Sequence, residues 1–354
     1  MSLSERYCLL ASPGPRLCAP VEGGRGAVAP GRRRLAPSPV SAVDDTYTML
    51  TGKKSSIHAT ANERVLTLRA NAQNSVQLVL RAYDGGFAFR YKFPETNATA
   101  KTVTGESTGF KIDFFLSDKP TMMQYYLDIL KDAAANHLLV NFHGSTIPRG
   151  WQRTYPNLVT AEAVRGAENY KYDTAFPAGV PQRNTILPFT RNMMASMDFT
   201  PVTFSDSVYP HVTTYAHELA LSVVFESGWQ HLADKVSAYT SLPAGPKTFL
   251  QQVPTTWDDT RYLQGTPGQL VVLARRKGKV WYVGGIAGDS QARNLTLPLT
   301  FLDSGSYTAT QIADGSTDRT FSDATTRTVT AADSLTSSLR GNVGFVARLV
   351  PAAN

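Results

Sequence analysis

Residues 111–143, "KIDFFLSDKPTMMQYYLDILKDAAANHLLVNFH", constrain the fold more than any other stretch of the chain. They open with a short apolar run around one acid and close with a second apolar run. Between them Met123, Tyr126, Leu127, Leu130 and Ala134 recur at helical spacing, with Asp118 placed to cap the helix and Pro120 suited to its first turn. Two buried strands separated by a crossover of about twenty residues cannot form a hairpin, so they pair in parallel. The segment is a βα unit.

The flanks read differently. "VQLVLRAYDGGFAFRYKF" sets Val76, Leu78 and Leu80 on one face and, beyond Asp84-Gly85-Gly86, Phe87, Phe89, Tyr91 and Phe93 on one face again. That is an antiparallel hairpin with one buried side. "NTILPFT", residues 184–190, reads as a further strand, and a helix is expected from about Thr213 to Phe225. From about residue 245 helical patterns stop; "QLVVLARRKGKVWYVGGIA", "NLTLPLTF", "SYTATQIA" and "NVGFVARLV" alternate as strands of a small β-sandwich. No internal repeat stands out.

At 354 residues the chain has room for two or three domains. It contains no apolar run of 18 or more residues, so it carries no helical membrane span. Both cysteines, Cys8 and Cys18, stand near the start, which leaves the folded body without a disulfide framework or a cysteine metal site. The net charge of +7 is concentrated: residues 1–43 hold six arginines against two glutamates, a net of +4. This Arg/Pro/Gly-rich leader is too poor in apolar surface to offset its ordering entropy and reads as disordered. The body has no basic stripe, so no nucleic-acid partner is implied.

Carboxylates and a histidine follow the buried strands. In a barrel of parallel strands, residues just beyond strand C-termini line the catalytic face. Asp113 follows "KI", His143 follows "NF", and Glu162 and Glu168 lie just beyond "RTYPNLVTA". A pair of carboxylates flanking a pocket suits glycosidic cleavage, one attacking or activating water and the other protonating the departing oxygen. Lys111, two residues before Asp113, shares its side of the strand and is placed to neutralise it. Each residue also has a plainer reading, as a helix cap, a satisfied polar group or a solvated surface charge, and spacing alone does not decide between them.

"KIDFF", "LLVNFHGSTIPRGWQRTYPNLVTAEAVRGAEN", "NTILPFTRNMMASMDFTPVTFS" and "ELALSVVFESGWQHLAD" closely resemble glycoside hydrolase family 97, over about residues 60 to 350. The resemblance implies an N-terminal β-sandwich, a central (β/α)8 barrel and a C-terminal β-sandwich. It implies the retaining branch, because Gly144 follows His143 and Asp113 is kept. On that basis Asp113 is the nucleophile and Glu168 the general acid/base, their carboxyls roughly 5–5.5 Å apart. Lys111, His143, Arg165 and Asp198 match substrate-binding positions, with the charge of Lys111 expected to hold the Asp113 pKa down. Glu162 and Glu168 match ligands of a Ca2+ ion. The implied substrate is an α-galactoside, or an α-glucoside, in an oligosaccharide or simple glycoside. Family members are usually periplasmic or secreted, although no export leader is recognisable. The triplets at Asn97 and Asn294 fit glycosylation acceptors.

The resemblance also exposes a shortfall. A (β/α)8 barrel takes about 250 residues, whereas 111–245 supplies 135, enough at about 30 residues per unit for four or five units. "ETNATAKTVTGESTGF" resembles an interior part of the N-terminal sandwich, and "KIDFF" follows it directly. A segment of well over a hundred residues is therefore expected to be missing between Phe110 and Lys111. The expected architecture is multidomain α/β plus β: leader 1–43, partial N-terminal β-sandwich 44–110, partial (β/α)8 barrel 111–245 and C-terminal β-sandwich 246–354. Alternatives are a non-catalytic carbohydrate-binding remnant and an interaction protein built on the C-terminal sandwich.

Overall fold

The computed structural model describes residues 5–10, 33–34, 38–69, 75–83, 86–92, 109–206 and 208–352. They form two compact units.

The first unit is an antiparallel sheet of β1 (Glu5–Leu10), β2 (Arg33–Arg34), β3 (Ser41–Thr48), β4 (Ser56–Arg69), β5 (Ser75–Tyr83) and β6 (Gly86–Lys92). The expected hairpin is β5–β6, closed at Tyr83↔Gly86, with its turn outside the described residues. Three expectations change. β1 pairs with β6 and β2 with β4, so the leader supplies strands where disorder was expected. β3 begins at Ser41, ahead of the expected 43/44 boundary. The more deeply buried face of β5 carries Val79 and Arg81, not Leu78 and Leu80. Arg81 is tolerated there because it pairs with Glu63 on β4 and Asp45 on β3.

The second unit contains the parallel sheet β7-β8-β9: β7 (Gly109–Ile112), β8 (Leu139–Phe142) and β9 (Leu158–Ala161). A parallel bridge, Ala161↔Met197, continues the order by one further strand position, and Met197 N–H donates to the Glu226 C=O. Gly109 and Phe110 lie in β7 together with Lys111 and Ile112, so the junction expected at 110/111 falls inside one strand. Helix α1 (Pro120–Ala135) makes the crossover from β7 to β8. Pro120 is its first residue, Lys119 stands at the cap and Asp118 makes no capping bond. Tyr126, Leu130 and Ala133 face the sheet, and the Tyr126 ring packs on Phe115 and Phe142.

Residues 184–190 are not a strand. They end α2 (Phe176–Ile186) and continue as a 3-10 turn, Leu187–Phe189. The buried stripe of α2 has helical spacing, but it is filled by Phe176, Pro177, Val180, Pro181, Asn184 and Thr185, so it does not read as apolar. Short α3 (Arg191–Met194) precedes α4 (Tyr215–Val224), which matches its expected range and is capped by Thr214 Oγ1 accepting from the His217 N–H. Then come α5 (Val236–Thr240) and α6 (Ala244–Gln252), the latter running past residue 245. The helix-free region therefore begins later than expected, after Gln252. No helix among the described residues is long and apolar enough to cross a membrane.

The C-terminal part has a six-stranded sheet, β10 (Asp259–Thr266), β11 (Leu270–Lys277), β12 (Val280–Ala287), β17 (Gly344–Pro351), β14 (Tyr307–Ala313) and β15 (Thr325–Val329), in that spatial order. A two-stranded sheet, β13 (Arg293–Pro298) and β16 (Ser334–Leu339), covers one face. Val272, Ala274, Trp281 and Val283 meet Leu295, Leu297 and Leu335 between the sheets. Val271, Leu273, Ile286 and Val346 point the other way, to Leu219 and Val223 of α4. Burial on both faces makes β11 an unbroken apolar run. Gly284 and Gly344 let α4 approach closely, since an added Cβ would meet Val223 or the His217 backbone. Asn294 lies exposed on β13, with its side chain bonded to Ser338; Asn97 lies outside the described residues.

Candidate active site

Each parallel strand position hands one polar residue to the same end of the sheet. Asp113 follows β7, His143 follows β8, Glu162 follows β9 and Asp198 follows the bridge at Met197. In parallel α/β sheets this C-terminal edge is where ligands bind.

Asp198 is the hub. Its side chain has 0% exposure, and its Oδ2 accepts from Asn141 Nδ2 at 2.8 Å, Lys111 Nζ at 2.9 Å and His143 Nδ1 at 3.0 Å. His231 Nδ1 stands 3.5 Å from Oδ1. Burial opposes ionisation of Asp198, but the hydrogen bond from His143, the nearby His231 imidazole and the charge of Lys111 outweigh it and hold the carboxyl well below the usual range.

His143 carries the network onward. Its Nε2 lies 2.9 Å from Glu168 Oε1 and 3.1 Å from Glu162 Oε1. Burial alone would depress its pKa; the bonds to Asp198 and Glu168 and the charge of Glu162 push it up to about 9. Glu162 is raised by burial, against the pull of His143 and of the Gly144 N–H, which donates to its Oε2 at 2.6 Å. Glu168, on the 3-10 turn Ala167–Lys171, is 42% exposed at the side chain and is the member of this cluster that opens to solvent.

The sequence-predicted residues divide clearly. Lys111, His143, Glu162, Glu168 and Asp198 meet in one network. Lys111 does not pair with Asp113 as expected: Nζ reaches across to Asp198, a fully buried carboxylate that needs a cation more than the exposed Asp113 does. Asp113 instead accepts its neighbour's backbone N–H, from Phe114, at 2.5 Å and lies against Gly144. Arg165 turns to Asp173 and stacks over Phe176, outside the network. Two members went unassigned. Asn141 stands two residues before His143 on the same face of β8, so strand periodicity marks it. His231 carries no local sequence signal.

The donor atoms of His143, Glu162 and Glu168 lie within 4.8 Å of one another. The two carboxylates offer the hard oxygens Ca2+ prefers. His143 Nε2 is engaged with both carboxylates, so an ion held by Glu162 and Glu168 would draw its remaining oxygens from water or other groups.

A family model described as "Glycoside hydrolase 97" matches residues 59–164, and one described as "Glycosyl-hydrolase 97 C-terminal, oligomerisation" matches 256–350. Together they reach into both units and take in Lys111, Asp113, Asn141, His143 and Glu162 of the site, whereas Glu168, Asp198 and His231 lie between the two matches. The chain belongs to glycoside hydrolase family 97. Within this family, a "Probable retaining alpha-galactosidase" of Streptomyces bingchenggensis is 45% identical over 207 residues, 58% of this chain and 31% of that protein. A "Retaining alpha-galactosidase" of Bacteroides thetaiotaomicron is 36% identical over 217 residues, 58% of this chain and 32% of that protein. The aligned stretch thus spans about a third of the curated relatives. Among solved structures, a family 97 enzyme of Pseudoalteromonas sp. strain K8 in complex with acarbose superposes with a TM-score of 0.71 at 17% identity, covering 91% of this chain and 92% of that one. A beta-arabinopyranosidase superposes at 0.73 and 16% identity, covering 90% and 91%. At these identities the superpositions speak to fold alone.

Proposed function

We propose that this family 97 chain carries the catalytic half of a retaining α-galactosidase, with an α-glucosidase as the alternative specificity. The observation that carries the reading is the convergence of Asp113, His143, Glu162 and Asp198 at one sheet edge, with Glu168 bonded to His143. In this reading β7–β9 and the strand position at Met197 are part of a (β/α)8 barrel, and the strands that would precede β7 are not supplied by 111–245.

Asp113 attacks the anomeric carbon while Glu168 protonates the departing glycosidic oxygen, leaving a glycosyl-enzyme ester on Asp113. Glu168 then takes a proton from water, which attacks the same carbon and releases sugar with its configuration retained. His143, fixed through Nδ1 by Asp198, holds Glu168 in place and keeps a proton within 2.9 Å of it. Glu162 and Glu168 would hold Ca2+, which when bound supplies a fixed positive charge beside the acid and a point of attachment for sugar hydroxyls. A periplasmic or secreted location rests on the family resemblance.

Hydrolysis of 4-nitrophenyl α-galactoside with added Ca2+, followed by NMR of the first-formed sugar, tests the reading. Initial α-galactose, lost in Glu168→Gln and Asp113→Asn, is expected; initial β-galactose, or a rate unchanged in Glu168→Gln, would overturn it.

A second reading has one observation in its favour. Among the described residues β7 is a terminal strand of its sheet, and Phe110, Phe114 and Leu116 around it are 55%, 80% and 77% exposed. An uncovered edge of this kind suits a non-catalytic, sugar-binding remnant. Galactose binding without turnover is its signature.

A further inference from the structure

We propose that His231 is a specificity-determining residue of this site, reading one hydroxyl of the sugar through its Nε2. The inference rests on the reading of the site as a glycosidase and adds a residue that lies in the block "ELALSVVFESGWQHLAD" but to which no role was assigned.

Asp198 Oδ1 is fully buried and without a hydrogen-bond partner, while Oδ2 carries three donors. His231 Nδ1 stands 3.5 Å from Oδ1. A buried carboxylate oxygen left unpaired is costly, and a modest approach of the imidazole satisfies it. Asn141 Nδ2 also stands 3.5 Å from His231 Nδ1, but its short bond, at 2.8 Å, goes to Asp198 Oδ2; facing the unpaired anionic oxygen, Nδ1 carries the proton, which leaves Nε2 with a lone pair that accepts from a sugar O–H. The side chain of His231 is 35% exposed whereas Asp198 is closed off entirely, so the imidazole is where the hub meets solvent.

The ring is also held in orientation. Trp229 stacks against it at 5.3 Å between centroids and 26° between planes. Trp229 is fixed in turn on β7, because it lies over Gly109 so closely that an added Cβ would stand 2.5 Å from the indole. Lys111, 28% exposed, reaches the other oxygen of the same carboxylate. One buried anion thus positions a donor, Lys111, and an acceptor, His231, side by side. A vicinal diol of a pyranose presents that complement.

The test compares wild type, His231→Phe and His231→Gln on 4-nitrophenyl α-galactoside and its 2-, 3-, 4- and 6-deoxy analogues. His231→Phe keeps the stack on Trp229 and removes both nitrogens. It is expected to lower kcat/KM on the parent about three- to tenfold, the span of one neutral hydrogen bond, and His231→Gln to recover part of this. On one deoxy analogue the penalty should vanish, because that hydroxyl is already gone. An unchanged kcat/KM on the parent, or an equal penalty on all four analogues, overturns the inference and leaves the glycosidase reading standing. If wild type binds galactose without turnover, the same comparison is made on galactose affinity by calorimetry, and equal affinities overturn it. A wild type that neither hydrolyses nor binds the sugar overturns both.

Discussion

Gly144 and Asp113 touch: a Cβ placed on Gly144 would lie 2.6 Å from Asp113 Oδ1 and 3.0 Å from the Phe114 backbone nitrogen. Gly144 also holds φ at +52°, a left-handed conformation. The residue after His143 therefore sets how much room Asp113 has, which gives a steric reason why a glycine here and an aspartate at 113 belong together. Gly144→Ala should cost about 1–2 kcal/mol in stability from the backbone alone. Its effect on kcat/KM should be larger, on the order of a hundredfold, because Asp113 must move. Urea unfolding beside kinetics separates the two; a variant with normal kinetics would show that Asp113 has no role in the chemistry.

The raised pKa of His143 makes stability depend on pH. Its folded value of about 9 lies above the unfolded 6.5, so the protonated form favours folding. That contribution is full below about pH 6.5 and is lost as pH rises through about 9, with a size on the order of 3 kcal/mol. Asp198 works at the other end: held below its ordinary value, it contributes above about pH 4 and loses its contribution as acid protonates it. Thermal unfolding from pH 5 to 9.5 should show a decline above 6.5 that is absent in His143→Gln.

Much of this was legible. The βα unit from 111 to 143 and the paired strands of the C-terminal sheets could be read because their buried positions are apolar and evenly spaced. The segment 184–190 could not, since the buried stripe of α2 mixes Phe176 and Val180 with two prolines, Asn184 and Thr185, and Asn184 Nδ2 donates to His217 Nε2 on a helix more than thirty residues away. At the site, strand periodicity placed Lys111 on the correct side of β7. What periodicity cannot supply is the competing anion, which sits 87 positions further on at the end of a strand position only one bridge long. Asp113 loses that competition because it is exposed and water already stabilises its charge.

Chelation tests the carboxylate pair. If Glu162 and Glu168 hold Ca2+, excess EDTA should abolish hydrolysis and restored Ca2+ should recover it, and Glu162→Gln should weaken apparent Ca2+ affinity at least about tenfold. Glu162 also accepts from Gly144, so its amide variant keeps a hydrogen-bond acceptor there and should fold. A calorimetric titration that gives the same Ca2+ affinity for both proteins would place the ion elsewhere.

Arg275 joins the C-terminal sheet to α4. Its side chain is fully buried, and it donates from Nε to the Val223 carbonyl at 2.6 Å and from Nη2 to the Val224 carbonyl at 3.0 Å. These are orphan carbonyls at the C-terminus of α4, where a cation also meets the negative end of the helix dipole. Burial pushes the guanidinium down to about 10, partly offset by Glu226, so it remains charged at neutral pH. Arg275→Met fits the volume but strands two carbonyls and leaves Glu226 short of positive charge. The expected cost is about 3–5 kcal/mol, roughly 10 °C in Tm for a body of this size. Arg276, the next residue along β11, points to the opposite side, where it donates to the nearby Gly278 carbonyl and lies over the Trp281 ring; Arg276→Met should change Tm by less than about 2 °C. Equal shifts in the two variants would mean that α4 is held by apolar packing alone, with Val223 on Gly284 and Leu219 in the core sufficient without the guanidinium.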